Sequence, residues 1–541
     1  MWSRVDEPAH YDVIAQYAAG VYPHDSVTPI RPETLEIMQK TGVYGFVVDS
    51  AYQRPDGFQA MPAGLDDTQH VLWVRRHVWQ FSYEAFQPPL YYALALPAWR
   101  LGDAIAGAFG ALYAVRVFDA LLAALLAPLA MLLALRIAPS QPGIGWAAAV
   151  LTAAMPGVDA NLTSVTNDVL VASLGATTLL VAISGRVTMR RALLVGLLLG
   201  AAILAKTTVV ALVPAVLIAL LLRARGGRPI LAAAALGVAA VVVLPWAISN
   251  VAIYGEVITT KEQLAMSAFP QRTSALDFWS VSTLHSFVTF WSGDPFLALA
   301  TAVPIALLAA FLCGLVIAGL MRAPRTGDLM VIVLAAVGAV LVSITSPVLA
   351  AFNAPGRLAY AGITAVTALV AYGLWLELGS WRLRRAAVAL FAVLSILGLA
   401  VFIYPQPAAP SGPGHPAIAA NTPLDISGSF GRVSIDLQSC AVDQDHNLWL
   451  GLLIENFGTS PAEWSQSAEV QSGGETLATT DYSRSTPFSM ALPPGLQQSG
   501  WLWVGPESRL TGRDSLTVRF KNIAADDYRA IGDVVIPTTL C

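Results

Sequence analysis

Charge is scarce in this sequence, with only 12% of its 541 residues being Asp, Glu, Lys or Arg. Since 56% are hydrophobic and the mean hydropathy is +0.62, the chain carries more apolar surface than a soluble core of this length could bury, and a bilayer must cover the rest. The net charge of −4 and the lack of any long basic run exclude a nucleic-acid partner, whose phosphates demand a clustered Lys/Arg face. No P-loop, dinucleotide fingerprint, HExxH helix or zinc-type Cys/His spacing occurs, so nucleotide-driven pumping is unsupported. Cysteine is nearly absent: Cys313 lies in an apolar run, while Cys440 and Cys541 bracket a polar C-terminal region and would form a disulfide if it faces an oxidising compartment. Met1 to Val5 lead straight into a polar segment with no signal sequence. This predicts a first membrane helix encoded upstream as an in-frame run of about 20 apolar codons.

What is present divides the chain into four parts. Residues 1–87 read as a large polar and aromatic outer loop, with Tyr11 to Ala19 and Thr68 to Phe86 as short helices on the membrane surface. Residues 88–404 read as a transmembrane helical domain of about ten to eleven spans, with apolar runs at 117–135, 144–157, 168–184, 192–205, 208–222, 230–249, 296–320, 329–349, 358–376 and 386–404. Arg136, Arg186 with Arg190 and Arg191, Arg223 with Arg225 and Arg228, Arg322 with Arg325, and Arg382 with Arg384 and Arg385 follow every second run. Such alternation marks the cytoplasmic loops. It puts 158–167, Lys206, 250–295, 350–357 and everything after 404 on the outer side, and leaves open whether 88–116 crosses or dips in and returns.

A Pro/Gly/Ala linker, 405–421, precedes a water-soluble segment, 422–541. Period-2 alternation in Arg432 to Leu437, Leu448 to Ile454, Trp501 to Val504 and Ser515 to Phe520 predicts antiparallel strands of a β-sandwich, tied together by Cys440 and Cys541. The fold class is thus an α-helical polytopic membrane protein with a C-terminal extracytoplasmic β-sandwich.

Six local patterns carry chemistry, each beside an ordinary structural alternative. Asp6-Glu7-Pro8-Ala9-His10-Tyr11 places two acids and a histidine at the membrane surface, where a partly desolvated carboxylate suits proton abstraction from a hydroxyl. Alternatively, Asp6 merely caps a helix opened by Pro8. Glu84 and Gln87 precede Pro88-Pro89-Leu90-Tyr91-Tyr92, as expected of a helix start at the interface or of a polar site beside one. Asp168, after Thr166-Asn167, caps a span or faces a cavity. Lys206-Thr207-Thr208 interrupts two apolar runs, offering a cation for a lipid phosphate or a snorkelling side chain. Arg357, in Asn353-Ala354-Pro355-Gly356-Arg357, offers a fork for phosphate on an outer loop that the charge bias would leave uncharged. Phe278, Trp279, His285, Phe287, Phe290 and Trp291 form either an aromatic belt or a sugar-stacking loop. Arg116 and Asp119, three apart on one helix, are expected to pair with each other.

Taken in order, Asp-Glu-x-x-His-Tyr, the acid before Pro-Pro-Leu-Tyr-Tyr, the Asn-Asp at a span start and Leu-Ala-Lys-Thr-Thr resemble the GT-C superfamily of membrane glycosyltransferases. The nearest look-alikes are the protein O-mannosyltransferase and lipid A aminoarabinose-transferase group, and a bacterial group of polytopic membrane proteins that shares Ser286-Phe287, Phe290-Trp291 and Gly356-Arg357. The likeness covers about 6–404, and Gln87 stands where a His often precedes the prolines.

The resemblance implies transfer of a sugar, with inversion, from a polyprenyl-phosphate donor to an extracytoplasmic glycan, lipid or protein acceptor at the outer face of a bacterial inner membrane. Asp6 or Glu7 would be the base, Lys206 and Arg357 would hold the donor phosphate, and His10, Glu84, Gln87, Asp168 and Trp291 would contact substrate. Some relatives use a divalent cation such as Mg, Mn or Ca, and Asp6, His10 and Asp168 are the candidate ligands here. Two other readings compete. A flippase for lipid-linked glycan would show inverted repeats and mid-span charges, which the sequence lacks. A non-catalytic scaffold would bind glycan through Trp449, Trp464, Trp501 and Trp503, residues that otherwise read as core.

Overall fold

The computed structural model describes residues 6–22, 28, 30–34, 37, 82–224, 229–259, 286–292, 299–324, 326–349, 356–403 and the strands with their tight turns between 418 and 539. Most of the 1–87 loop and of the 405–421 linker lies outside the described residues, as do Phe278, Trp279, His285, Trp464 and Cys541.

The ten apolar runs are largely helical where they are described, with breaks at Leu125, at Ala154–Met155 and at Ser184. The helices are α1 (Glu7–Ala18), α2 (Leu90–Ala124), α3 (Leu126–Ile137), α4 (Pro142–Ala153), α5 (Pro156–Leu162), α6 (Asp168–Ile183) and α7 (Met189–Ala205). They continue as α8 (Val213–Arg223), α9 (Pro229–Tyr254), α10 (Leu299–Arg322), α11 (Gly327–Leu349), α12 (Ile363–Glu377) and α13 (Trp381–Ile403). Short 3-10 turns, Tyr83–Phe86, Thr207–Leu212 and Gly356–Gly362, lead into α2, α8 and α12. Among the described residues four stretches are long and apolar enough to cross a membrane: Leu90–Ile137, Pro229–Tyr254, Gly327–Thr345 and Gly356–Glu377. The runs 192–205 and 208–222 make shorter helices because the chain breaks between them at Lys206, whose extended backbone separates α7 from the turn before α8. The stretch Gly356–Glu377 has 83% of its apolar window buried, against 28–39% for the other three, so it runs through the middle of the bundle.

The ambiguous 88–116 segment folds back on itself. Ala106 and Gly107 leave helical geometry, Gly107 at a φ of 63°. The two arms then approach so closely that a Cβ on Gly102 would fall on the Gly110 carbonyl, and one on Gly110 would meet Gly102. Small residues permit such backbone contact between helices in a lipid setting. The first arm, up to residue 105, is about 24 Å long at 1.5 Å per residue, short of a full crossing. Pro88 and Pro89 open it, since a helix start has no use for their missing N–H groups.

Helix α1 differs from the surface helix expected at Tyr11 to Ala19. It begins at Glu7 and is buried from Glu7 through Gln16. Its polar residues therefore need internal partners. Tyr11 donates to the Ala108 carbonyl at 3.0 Å, Tyr17 and Tyr92 meet edge-on, and Asp12 accepts from the Arg31 N–H at 2.9 Å and Gln16 Nε2 at 3.2 Å.

After α13 come antiparallel strands in two sheets. One has the order β1 (Ile418–Phe430), β2 (Val433–Asp443), β3 (Asn447–Asn456), β8 (Gln497–Pro506). The other joins β6 (Glu475–Thr479), β5 (Ala468–Ser472), β9 (Ser515–Ala525), β4 (Ala462–Glu463) and β7 (Ala491–Leu492), with β10 (Arg529–Thr539) paired to β9. β1 thus starts inside the segment expected to be linker. Asp443 closes the β2–β3 turn by accepting the Asp445 and Asn447 N–H groups at 2.9 and 2.8 Å and the Trp449 indole N–H at 2.8 Å. Trp449 lies opposite Trp503, and Gly451 opposite Trp501, across β3 and β8. These three indoles share the half-exposed face, whereas Leu448, Leu450, Leu452, Leu502 and Val504 fill the buried one, so the tryptophans differ from the core residues they read as. Cys440 is disulfide-bonded and Cys313 is not.

Candidate active site

The charges that an apolar chain can least tolerate converge at one place, where the starts of α1, α6 and the Gly356–Gly362 turn meet the end of α7. Lys206 Nζ donates to Asp168 Oδ1 at 2.6 Å. Arg357 bridges the two acids, with Nη1 3.4 Å from Asp168 Oδ2 and Nη2 on Asp6 Oδ2. Two cations and two carboxylates thus form one continuous network, with Asp6, Asp168 and Lys206 each at least nine-tenths buried. Paired in this way, the charges escape the penalty of isolated burial.

Each partner is aimed by local structure. Asp6 is at the N-cap position of α1 but makes no side-chain cap; its φ of 53° and ψ of −2° put it in the left-handed region and turn its carboxylate toward Arg357. Such a conformation costs of order 1–3 kcal/mol in a non-glycine residue and persists where surrounding contacts over-determine it. Asp168 likewise does no capping, its carboxylate being committed to Lys206 and Arg357, with Thr166 Oγ1 donating at 3.3 Å. Lys206 does not snorkel: it is 6% exposed, at the break after α7. Arg357 is fixed through Gly356, whose N–H donates to Thr289 Oγ1 at 2.7 Å and whose Cα packs so tightly on the helical segment 286–292 that an added Cβ would overlap the Phe290 backbone and the Ser286 carbonyl. Tyr360 reinforces this, its hydroxyl donating to the Phe290 carbonyl at 3.1 Å.

Around the network stand less charged groups. His10 Nδ1 lies 2.8 Å from the Tyr92 hydroxyl, and burial beside Lys206 lowers the imidazole pKa to about 3, so His10 is neutral. Burial, reinforced by Asp6, pushes the Glu84 carboxyl up to about 8. Gln87 Oε1 accepts from Asn167 Nδ2 at 3.3 Å, tying the turn before α2 to the start of α6.

Two expected site residues are placed elsewhere. Glu7, 0% exposed, is gripped by Arg116, Nε to Oε1 at 2.7 Å and Nη2 to Oε2 at 2.8 Å, and also accepts the Val165 N–H at 3.0 Å. These three hydrogen bonds commit its carboxylate to the scaffold. The expected Arg116–Asp119 pair is accordingly absent. Asp119 accepts from the Tyr91 hydroxyl at 2.7 Å and the Thr166 N–H at 3.4 Å. Trp291 is buried edge-on against Phe290 and Phe391, at ring-centroid distances of 5.3 and 6.3 Å, which is a packing position rather than an open stacking face. The sequence does not announce Arg116 as the clamp on Glu7, although an arginine in an apolar helix already demands an acidic partner.

The metal candidates do not fit a divalent ion. Asp6 and Asp168 are neutralised by Arg357 and Lys206, His10 Nδ1 is occupied by Tyr92, and among the described residues no group of three or more His, Cys, Asp or Glu side chains converges as a ligand set.

No protein-family model and no curated protein matches the chain. Among solved structures it is similar to ArnT from Cupriavidus metallidurans in the apo state, at 18% identity and a TM-score of 0.41, over 64% of this chain and 62% of that one. It is also similar to ArnT from the same organism bound to undecaprenyl phosphate, at 18% identity and a TM-score of 0.40, over 73% and 66%. A third similarity is to the Archaeoglobus fulgidus oligosaccharyltransferase tethered with an acceptor peptide, at 15% identity and a TM-score of 0.30, over 59% and 46%. The chain thus spans less than two thirds of the length of each.

Proposed function

We propose that this protein is a membrane glycosyltransferase that moves a sugar from a polyprenyl-phosphate donor to an acceptor hydroxyl outside the cytoplasm. The observation that carries the reading is the Asp6–Arg357–Asp168–Lys206 network, in which a carboxylate suited to be a base is held by the cation suited to grip a phosphate. A lipid phosphodiester entering the network competes with Asp6 and Asp168 for Arg357 and Lys206, because guanidinium binds phosphate as readily as carboxylate. Asp6 is thereby released from its ion pair when the donor arrives, next to the anomeric carbon.

The acceptor oxygen then attacks that carbon as its proton passes to the Asp6 carboxylate. The carbon–oxygen bond to phosphate breaks with inversion, and the electron pair leaves on the polyprenyl phosphate, where Arg357 and Lys206 offset the added charge. With both cations already in place and the candidate ligands committed to them, the reading needs no divalent metal.

The outer-face placement is supported by the helix ends. Arg357 opens the stretch whose far end carries Glu377, and Glu377 pairs with Arg322 at 2.8 Å. Arg223, Arg322 and Arg384 gather at that far end, with Arg223 on Asp328 and Arg384 Nε on the Leu378 carbonyl at 2.7 Å. Arginine-rich ends mark the cytoplasmic side of a bacterial inner membrane. The two C-terminal sheets would then form a sandwich on the outer side, in keeping with the disulfide at Cys440.

The deciding experiment uses the full chain in lipid nanodiscs with radiolabelled polyprenyl-phosphate sugars and an outer-envelope extract as acceptor. Transfer by the wild type and its loss in Asp6→Asn, compared per mole of folded protein, is the expected result; undiminished transfer by Asp6→Asn would sink the reading.

A further inference from the structure

One carboxyl at the site has no part in the transfer outlined above. Glu84 is 7% exposed and is held by the Tyr83–Phe86 turn, which is closed by the Ala85 N–H on the Ser82 carbonyl at 2.8 Å and the Gln87 N–H on the Glu84 carbonyl at 3.0 Å. Its Oε2 is buried and has no hydrogen-bond partner. A buried carboxyl oxygen left unpaired is costly, and its retention beside a charged network points to a ligand that completes it. The groups acting on Glu84 are Asp6 from α1, Tyr92 from α2, Gln87 from its own turn, Lys206 from the end of α7 and Arg357 from the Gly356–Gly362 turn. His10 and Asp168 stand in the same field.

The charge balance decides what Glu84 can do. Asp6 and Asp168 already cancel Lys206 and Arg357. An ionised Glu84 would leave the cluster with a net negative charge before any anionic lipid arrived, and a phosphodiester would add another in a water-poor setting where like charges repel strongly. We propose that Glu84 is a donor-binding residue whose carboxyl keeps its proton and gives it as a hydrogen bond to a non-bridging phosphate oxygen of the lipid-linked donor. The proposal rests on the polyprenyl-phosphate reading of the site. It is supported by the upward shift of this carboxyl, which leaves it protonated at neutral pH.

Proton and donor are then linked. The bound anion raises the Glu84 pKa further, so the complex holds a proton that the empty site gives up above about pH 8. Donor affinity is constant below that pH and falls about tenfold per pH unit above it.

The test uses the full chain in nanodiscs and a synthetic polyprenyl methyl phosphate, a diester whose charge does not change over the range. Binding is measured from pH 6 to 9.5 for wild type, Glu84→Gln and Arg357→Ala, and proton uptake is measured on the wild type at pH 9 by calorimetry in two buffers of different ionisation enthalpy. Expected are the alkaline fall in wild-type affinity, a flat profile in Glu84→Gln, whose amide still donates, and uptake of about one proton per diester bound. A flat wild-type profile, zero proton uptake, or an unchanged fall in Glu84→Gln overturns the role of Glu84 while Arg357→Ala still reports on the site. A wild type that binds no better than Arg357→Ala at any pH overturns the donor site itself and this proposal with it.

Discussion

Arg116 holds Glu7 by both of its side-chain edges, 2.7 Å from Nε to Oε1 and 2.8 Å from Nη2 to Oε2, across 109 positions of sequence. The pair fastens α1 to the second arm of the α2 hairpin, and the Val165 N–H on Glu7 Oε1 adds the start of α6 to the same knot. Glu7 is therefore the residue that orients its neighbour, Asp6, toward Arg357.

The two adjacent acids should respond differently to substitution. Breaking a buried pair by removing one partner costs about 3–5 kcal/mol, because the other charge is left uncompensated. Glu7→Gln is expected to lower the thermal unfolding midpoint of the detergent-solubilised protein markedly and reduce activity in proportion to folded protein. Asp6→Asn should lower the midpoint less, since Arg357 keeps Asp168, and should lose at least 100-fold in turnover per folded protein, the ordinary worth of a general base. If both variants keep the wild-type midpoint and Glu7→Gln alone is inactive, the roles assigned here are reversed.

Gly356 gives a second test, since its effect can only be indirect. A Cβ there would overlap the backbone at Phe290 and Ser286, and relief requires the Gly356–Gly362 turn to shift away from 286–292, carrying Arg357 with it. Overpacking of this kind costs typically 1–3 kcal/mol. Gly356→Ala is expected to raise the donor KM about tenfold or more, because a fork-shaped phosphate contact tolerates little displacement. Thr289→Val, which removes the hydroxyl accepting the Gly356 N–H, should give a smaller effect in the same direction. A donor KM unchanged in Gly356→Ala would show that Arg357 does not depend on this seat.

Much of the site was legible because charges in an apolar chain are few and each must find a partner. Asp6, Asp168, Lys206 and Arg357 stand out in the sequence on that ground, and the structure joins all four. The pairing partners were less legible. Asp119, three residues from Arg116, was the natural local mate. The fold-back at Ala106–Gly107 instead brings Arg116 to α1 and leaves Asp119 to Tyr91. That fold-back has no proline to announce it, only small residues inside an apolar run. The capping alternative for Asp6 fails for a backbone reason: the residue is left-handed, and its carboxylate turns to Arg357 instead of the first turn of its own helix.

His10 predicts an acid-side loss of stability. In the folded protein burial beside Lys206 keeps the imidazole neutral down to about pH 3, whereas in the unfolded chain it takes a proton near the ordinary histidine value of 6.5. The unfolded state thus binds more protons between these limits. The stability contributed by neutral His10 is fully present above pH 6.5 and is lost as the pH falls toward 3, by up to about 1.4 kcal/mol per pH unit. Unfolding midpoints recorded from pH 7.5 to 4.5 should fall less steeply in His10→Gln than in wild type. Parallel slopes would mean that the imidazole is already charged in the fold.

A divalent cation serves a phosphoryl leaving group by placing positive charge against its oxygens. Here that charge is supplied by Lys206, 2.6 Å from Asp168, and by Arg357 between Asp168 and Asp6, so the acids that would ligate an ion already face cations. In the empty site an ion could enter only if Arg357 or Lys206 withdrew and were buried without a partner, and once the donor is bound these two cations already face its phosphate. Turnover should therefore stay within twofold after exhaustive treatment with EDTA and with EGTA, while Lys206→Met should lose 100-fold or more with a raised donor KM. If chelation abolished transfer and Mg, Mn or Ca restored it, the two cations would have to be reassigned from phosphate contacts to counter-charges that an incoming ion displaces.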